Sequence, residues 1–231
     1  MEARSPDLLG QATLPPRRAK AARVRVGAVA FAASGIAFVL YPAIRPFSDE
    51  ASLQAAAAFA SSAWLVAHML GMIGFTLIPI GLLGLDTAVR GTSAERLSFS
   101  TLVVSLIGTG LTLPYYGGEA YGLHAIGQEA LKQHSVALVA LANDVRFGAG
   151  VVMFGAGLTS LAVGAIMAAI VVWRSGLFWK WSGAPFALAF VLYVPQFFGA
   201  QPLRVAHGLL VAAGCLWLAA GLWQVSRRST A

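Results

Sequence analysis

Long uncharged stretches dominate the pattern of hydrophobic and polar positions along this chain. Six of them have the length of a membrane-crossing helix, at residues 26–44, 61–85, 97–116, 147–173, 183–200 and 203–224. A helix needs about 20 apolar residues to cross a hydrocarbon core of about 30 Å. Because the stretches are continuously apolar and do not alternate as membrane β-strands do, they predict an all-α fold, a bundle of six transmembrane helices.

The composition supports a membrane protein. The chain is 58% hydrophobic and 11% charged, whereas an ordinary soluble domain has about 25% charged residues. The net charge of +7 does not indicate a nucleic-acid partner, because half of the 16 Lys and Arg residues lie near the two ends of the chain. Basic ends flanking apolar spans favour contact with anionic lipid. The sequence therefore predicts membrane lipids as partners and no nucleic acid.

The distribution of basic residues predicts the orientation, because cytoplasmic segments of membrane proteins carry an excess of Lys and Arg. With the N-terminus inside, twelve basic residues fall in inner segments and four in outer ones, namely Arg45, Lys132, Arg146 and Arg204. Both termini are predicted to be cytoplasmic, in the cell (inner or plasma) membrane. The expected organisation is a basic disordered tail over 1–22, the six-helix domain over 23–226 and a basic C-terminal tail over 227–231.

Two predicted outer segments are longer than a turn. The residues Ser48, Asp49 and Glu50 precede an Ala-rich run, which predicts a capped helix leading into the second span. Residues 124–142 have a polar first half and an apolar second half. That division is typical of an amphipathic helix at the outer membrane interface.

The fourth span carries a stripe of glycines. Gly150, Gly157 and Gly164 recur every seven residues, on nearly one face of a helix. Small residues on one face allow another helix to approach closely. The stripe predicts a partner helix there, or contact between two copies of the chain.

No short motif names a reaction. The sequence has no phosphate-binding loop, no H-E-x-x-H, no C-x-x-C and no G-x-S-x-G. Cys215 is the single cysteine and lies in an apolar run, which excludes a disulfide framework. Catalytic residues are therefore unknown, and an enzymatic activity is less favoured than a binding role.

The polar side chains in and near the spans collect at the predicted outer side. His68 lies inside the second span and His207 near the start of the sixth. Glu119 and His124 follow the third span, and Tyr193 lies near the outer end of the fifth. Ionisable residues inside a membrane are costly and usually mark function. These five residues are predicted to form a polar, ligand-binding pocket that opens to the outer face.

Three classes of function remain open. The first is a non-enzymatic module that binds a lipid-like or small ligand or serves as an accessory subunit. The second is a redox protein in which His68 and His207, on two facing helices, hold haem or a divalent metal, since neutral imidazole binds iron, zinc or copper. The third is a small-molecule transporter, for which the broken-helix signature is limited to Pro79.

Three stretches carry a resemblance to known proteins. They are LYPAIRPFSDE after the first span, AHMLGMIGFTL in the second and YYGGEAYGLHAIG after the third. In these stretches the chain resembles a group of small multi-span bacterial integral membrane proteins that has no assigned activity. The resemblance implies a bacterial inner membrane and implies no catalytic residue.

Overall fold

The computed structural model describes residues 16–228, and this part of the chain contains helices and turns but no strand. The α-helices, in chain order, are α1 (Pro16–Ile44), α2 (Leu53–Ala60), α3 (Ser62–Val89), α4 (Glu95–Gly117), α5 (Leu123–Gln133), α6 (Val136–Val139), α7 (Leu141–Phe147), α8 (Ala149–Ser175), α9 (Ala184–Val191) and α10 (Gln201–Arg228). A π-helix (Gly118–Gly122) joins α4 to α5, and 3-10 helices (Lys180–Gly183 and Pro195–Phe198) flank α9. The all-α prediction is confirmed.

Five helical stretches in residues 16–228 are long and apolar enough to cross a membrane: α1, α3, α4 continued through α5, α8 and α10. They coincide with five of the six predicted spans. The remaining one, 183–200, is not a single helix, because α9 ends at Val191 and a 3-10 helix follows at Pro195–Phe198. Proline has no amide hydrogen, so Pro195 cannot donate the helical bond to Val191.

The ends of the chain differ from the expected tails. The helix α1 begins at Pro16, so residues 16–22, predicted to be disordered, are helical. Proline is well suited to the first turn of a helix, where its missing amide hydrogen has no partner to lose. At the other end α10 continues to Arg228. Residues 1–15 and 229–231 of the predicted tails lie outside the described residues.

Glycines allow two pairs of long helices to pack closely. Where α1 crosses α3, a Cβ atom on Gly27 would lie 2.5 Å from the Cα atom of Gly84. Where α4 crosses α8, a Cβ atom on Gly157 would lie 2.9 Å from the carbonyl oxygen of Gly108. Gly164 meets Ser105 on the same face. The glycine stripe of the fourth span therefore accepts a helix of the same chain.

Aromatic rings fill the interior between these helices. Phe38 packs edge-to-face on Phe75 with ring centroids 4.9 Å apart, and Phe31 packs similarly on Phe186 at 5.7 Å. All four side chains are buried. Edge-to-face pairs are the favoured geometry for aromatic rings. The core thus joins α1 and α3 to the short helix α9.

Four short helices, α2, α5, α6 and α7, form a cap at one end of the bundle. Together with Trp64 at the start of α3 they form an apolar cluster, in which Phe59, Trp64 and Leu123 are fully buried. A Cβ atom on Gly127 of α5 would lie 2.7 Å from the carbonyl oxygen of Ala56 in α2, so these two helices also touch through backbone. The cap therefore has a hydrophobic core of its own, smaller than the core of the bundle.

The two predicted outer helices correspond to the cap with changed boundaries. The helix α2 starts after Ser52, whose hydroxyl accepts a hydrogen bond from the amide of Gln54 at 3.3 Å, so the capping residue is Ser52 and not Ser48 or Asp49. The predicted helix 124–142 is divided into α5, α6 and the start of α7. The break is at His134, which has a left-handed backbone with φ of 52°. Residues in this conformation end helices.

Candidate functional site

A cavity of about 420 Å³ lies beside the cap, where α1 and α4 end and α8 and α10 begin. One part of its wall is charged and consists of Arg45, Glu50, Glu119, Arg146 and Arg204. The other part is apolar and includes Phe147, Val151, Phe154, Leu158, Val194, Phe197 and Phe198. Its volume is within the range of small-molecule sites, about 300–1,000 Å³.

Arg146, at the end of α7, joins two glutamates on the charged side of the cavity. Its Nε donates to Glu119 Oε1 at 2.6 Å and its Nη2 to Glu119 Oε2 at 3.2 Å. Its third nitrogen, Nη1, donates to Glu50 Oε2. Two parallel bonds between a guanidinium and a carboxylate are among the strongest side-chain contacts in proteins. Arg146 therefore fixes the cap to the end of α4.

Arg45 extends this arrangement on the side of α1. Its Nη2 donates to Glu50 Oε1 at 3.1 Å, and its guanidinium lies over the rings of Phe47 and Trp64 at 4.7 Å and 4.6 Å. Arg45, Glu50, Arg146 and Glu119 thus form a chain of alternating charges, here called the charge network. Stacking on aromatic faces lets an arginine be buried with its charge compensated.

The charge network shifts the pKa of two members outside the long helices. Burial raises the pKa of Glu50, but Arg146 and then Arg45 outweigh it, so the pKa lies below its usual range. Burial lowers the pKa of Arg146, but the hydrogen bonds and the charges of Glu119 and Glu50 outweigh burial. The pKa of Arg146 therefore lies above its usual range. The stabilisation from Glu50 is present above the ordinary carboxyl pKa and is lost as the pH falls through the lowered value.

The π-helix places Glu119 at the cavity. It widens the backbone between α4 and α5, and the carbonyl of Glu119 accepts a hydrogen bond from the indole Nε1 of Trp64 at 2.7 Å. Pro114, inside α4, and the glycines at 117, 118 and 122 precede or fall within this turn. Single π-turns inside α-helices often occur at functional sites. The side chain of Glu119 is only 11% exposed.

His68, in α3, lies next to Glu119. Its ring is buried, with Nδ1 2.8 Å from the carbonyl oxygen of Trp64 and Nε2 3.8 Å from Glu119 Oε2. A carbonyl can only accept, so Nδ1 is assigned the hydrogen, and Nε2 of the neutral ring carries the lone pair. The edge of Tyr41 packs on the ring, with centroids 5.4 Å apart. The structure thus brings together two of the five residues predicted from the sequence.

Tyr193 is one member of a buried tyrosine pair, and His207 lies beside it. The hydroxyls of Tyr116 and Tyr193 are 2.9 Å apart, and the ring of His207 packs edge-on against Tyr193 at 5.1 Å. The Nε2 of His207 donates to the carbonyl oxygen of Ala189 at 2.8 Å. The amide of Tyr193, the helical partner of that carbonyl, bonds to Phe190 instead. His207 therefore satisfies a backbone group that the end of α9 leaves open.

His124 has a third location, within the cap. Its Nδ1 donates to the carbonyl oxygen of Phe59 at 2.9 Å, and its Nε2 accepts from the Gln128 amide at 3.0 Å. The first of these contacts ties α5 to α2, and the second lies within α5. No hydrogen bond or ring contact among residues 16–228 joins His124 to His68 or to His207.

The structure adds no third ligand to the metal pair suggested by the sequence. Among the described residues, no three or more His, Cys, Asp or Glu side chains are grouped so that they could hold a metal ion. His68 and His207 each give one ring nitrogen to a backbone carbonyl and contact different tyrosines. The redox hypothesis therefore rests on two imidazoles that make no contact with each other.

Most of the charged wall was not anticipated from the sequence. In the sequence Arg45, Arg146 and Arg204 indicate an orientation, and Glu50 indicates a helix cap. A signal was present nonetheless, because three of the four basic residues assigned to the outer side line this one cavity. Isolated arginines at the ends of apolar spans, in a chain with nine acidic residues, are candidates for partly buried ion pairs.

Known proteins do not assign this cavity a role. The resemblance of three short stretches to a group of bacterial membrane proteins stays an expectation from the sequence. The three stretches contain Arg45, Glu50, His68 and Glu119, which lie in or beside the charged wall of the cavity. Comparison of the chain with protein-family models, with curated proteins and with solved structures gives no match.

Proposed function

We propose that this protein is a non-enzymatic membrane module that holds a lipid-like amphiphile in the cavity beside the cap. The observation that carries the proposal is the division of one cavity into a charged wall and an apolar wall. A polar head group would contact the charge network, and a hydrocarbon chain would lie along α8 near Phe154 and Leu158. Burial of the ligand's hydrocarbon chain supplies affinity, and the few polar groups of the cavity wall fix the orientation of the ligand.

The apolar residues at the cavity rim support entry from the bilayer. Phe147 is 71% exposed and Phe198 is 89% exposed. Large exposed aromatic residues beside a cavity are unfavourable in water but compatible with lipid. A ligand that is already dissolved in the membrane can therefore reach the cavity sideways, between α8 and the 3-10 helix at Pro195–Phe198.

The proposed topology has six crossings, with the cavity on the outer face and both termini in the cytoplasm. Two helices support the count: α8 starts at the cavity with Val151 and is about 40 Å long, and α10 also starts there with Arg204. The chain between them has to return along the bundle, and α9 packs against both. The basic bias supports the orientation. A bacterial inner membrane is the location that the resemblance implies.

The orientation predicts how single cysteines react with a membrane-impermeant maleimide on intact cells. In a Cys215→Ala background, Gln133→Cys is expected to be labelled, whereas Ser93→Cys is expected to be labelled only after permeabilisation. Both positions are exposed, so accessibility within the protein is matched. Labelling of Ser93→Cys alone on intact cells would invert the proposed topology.

The proposed function predicts which residues a photoreactive amphiphile labels. An uncharged dodecanol that carries a diazirine is added to the protein in phosphatidylcholine nanodiscs and irradiated. Adducts are expected to concentrate on peptides that contain residues 147–158 and 194–198. The variant Gly155→Phe is expected to lose most of these adducts, because Gly155 lines the cavity and a Cβ atom there would have no neighbour within 4 Å, which leaves room for the ring to occupy the cavity.

The matched control for this variant is Gly110→Phe. Gly110 also has open space around it, but it does not line the cavity. Its adducts should equal those of the wild type. Labelling spread evenly over the lipid-facing helices, and unchanged in Gly155→Phe, would show that the cavity does not hold the chain and would overturn the proposed function.

A further inference from the structure

The charges on the cavity wall do not cancel. Arg45 and Arg146 share the carboxylates of Glu50 and Glu119, so the charge network is neutral as a whole. Arg204 is the third arginine on the wall, and it makes no ion pair with any residue from 16 to 228. One positive charge therefore remains at the cavity without a counter-charge.

Arg204 is held in place by groups that leave its charge uncompensated. Its Nε donates to the carbonyl oxygen of Gly199 at 3.0 Å and its Nη2 to that of Phe197 at 2.7 Å. The guanidinium also lies 5.2 Å from the ring centroid of Phe47. Guanidinium has five N–H donors, so hydrogens remain for a ligand. The side chain is only partly exposed, which limits how far water can screen it.

We propose that Arg204 selects ligands with a monoanionic head group. This inference rests on the proposed function and adds the charge of the ligand to it. A carboxylate, sulfonate or phosphodiester head would pair with Arg204 and bring the wall to neutrality. An alcohol leaves the charge unpaired, and a cationic head adds repulsion. The N-terminus of α10 contributes further positive potential, since Arg204 is in the first turn of that helix.

The inference is tested by competition against the labelling of the cavity by the diazirine dodecanol. The competitors are dodecanesulfonate, which stays ionised, dodecanol, and dodecyltrimethylammonium. In the wild type, dodecanesulfonate is expected to compete at a concentration at least about tenfold lower than dodecanol. Dodecyltrimethylammonium is expected to be the weakest of the three.

Two variants assign this preference to the guanidinium. In Arg204→Gln the sulfonate and the alcohol should compete within about twofold of each other, whereas Arg204→Lys should keep a preference for the sulfonate because it keeps the charge. Arg96→Gln, an exposed arginine remote from the cavity wall, is the matched control and should behave as the wild type. The comparison of competitors in the wild type does not depend on the folding of any variant.

The outcomes separate this inference from the proposed function. If the probe labels the cavity but sulfonate and alcohol compete equally in the wild type, the cavity binds amphiphiles and the inference is wrong. A preference that survives in Arg204→Gln also overturns the role of Arg204. An added arm replaces part of the phosphatidylcholine by phosphatidylglycerol. Loss of labelling there would identify the monoanion as a bilayer lipid, and unchanged labelling would identify it as a free single-chain amphiphile.

Discussion

Replacing Arg146 by Met is expected to lower the free energy of unfolding by about 3–5 kcal/mol, the usual cost of removing one partner from a buried ion pair. The carboxylate of Glu119, whose side chain is only 11% exposed in the native protein, would lose both of its hydrogen bonds to Arg146. Its remaining neighbour at 3.8 Å is His68, whose Nε2 carries no hydrogen in the neutral ring. The measurement is unfolding by denaturant in mild detergent.

A double variant distinguishes an unpaired charge from lost packing. Glu119→Gln together with Arg146→Met removes both charges, so most of the stability should return. Glu50 keeps its bond to Arg45 in either protein. Arg96→Met, at an exposed position, is the control and should change the stability by less than about 0.5 kcal/mol. A double variant as unstable as Arg146→Met would mean that the charge of Glu119 is not what destabilises the single variant.

Replacing Gly157 by Leu is expected to destabilise the protein by about 1–3 kcal/mol or to prevent folding, because the side chain has no space. Its Cβ atom alone would lie 2.5 Å from Thr112 Oγ1 and 2.9 Å from both the Gly108 carbonyl oxygen and the Thr112 amide nitrogen. Two of these three atoms belong to the backbone of α4 and cannot move without displacing the helix. Thermal unfolding in detergent is the measurement.

Two glycines provide the controls for the Gly157 variant. Gly155→Leu lies two positions away on the same helix, and Gly110→Leu lies on α4; a Cβ atom at either position would have no neighbouring atom within 4 Å. Both should unfold near the wild-type temperature. If Gly157→Leu is as stable as they are, α4 and α8 are not held together by close backbone contact.

The long helices were predictable because membrane spans have a simple physical rule. A stretch without charges and long enough to cross the hydrocarbon core has to be helical, since every backbone polar group needs a partner there. The rule does not tell a continuous span from a broken one. Pro195 was the signal for the break at 183–200, but proline also occurs inside α1, α3 and α4, where the helix continues.

The candidate site was only partly predictable. Counting along the spans predicts the same depth for His68 and Glu119, and they lie side by side. The partners of Glu119 could not be found in this way, because Arg146 is 27 positions from Glu119 in the chain and 96 positions from Glu50, the second glutamate that it binds. Such contacts depend on how the cap folds back on the bundle. Counting also placed His124 at the same depth, although it is used within the cap.

The π-helix between α4 and α5 has a consequence for the length of the chain. Gly108 meets α8 on one side of this turn, and Gly127 meets α2 on the other, each at backbone contact. A π-turn contains one residue more than regular α-helical geometry requires. The π-turn takes up that residue locally, whereas one residue more or fewer in the regular turns of α4 or α5 would rotate everything after it by about 100°, which would turn Gly127 away from α2. The number of residues between Gly108 and Gly127 is therefore as constrained as the two glycines themselves. No individual side chain between them reveals this constraint.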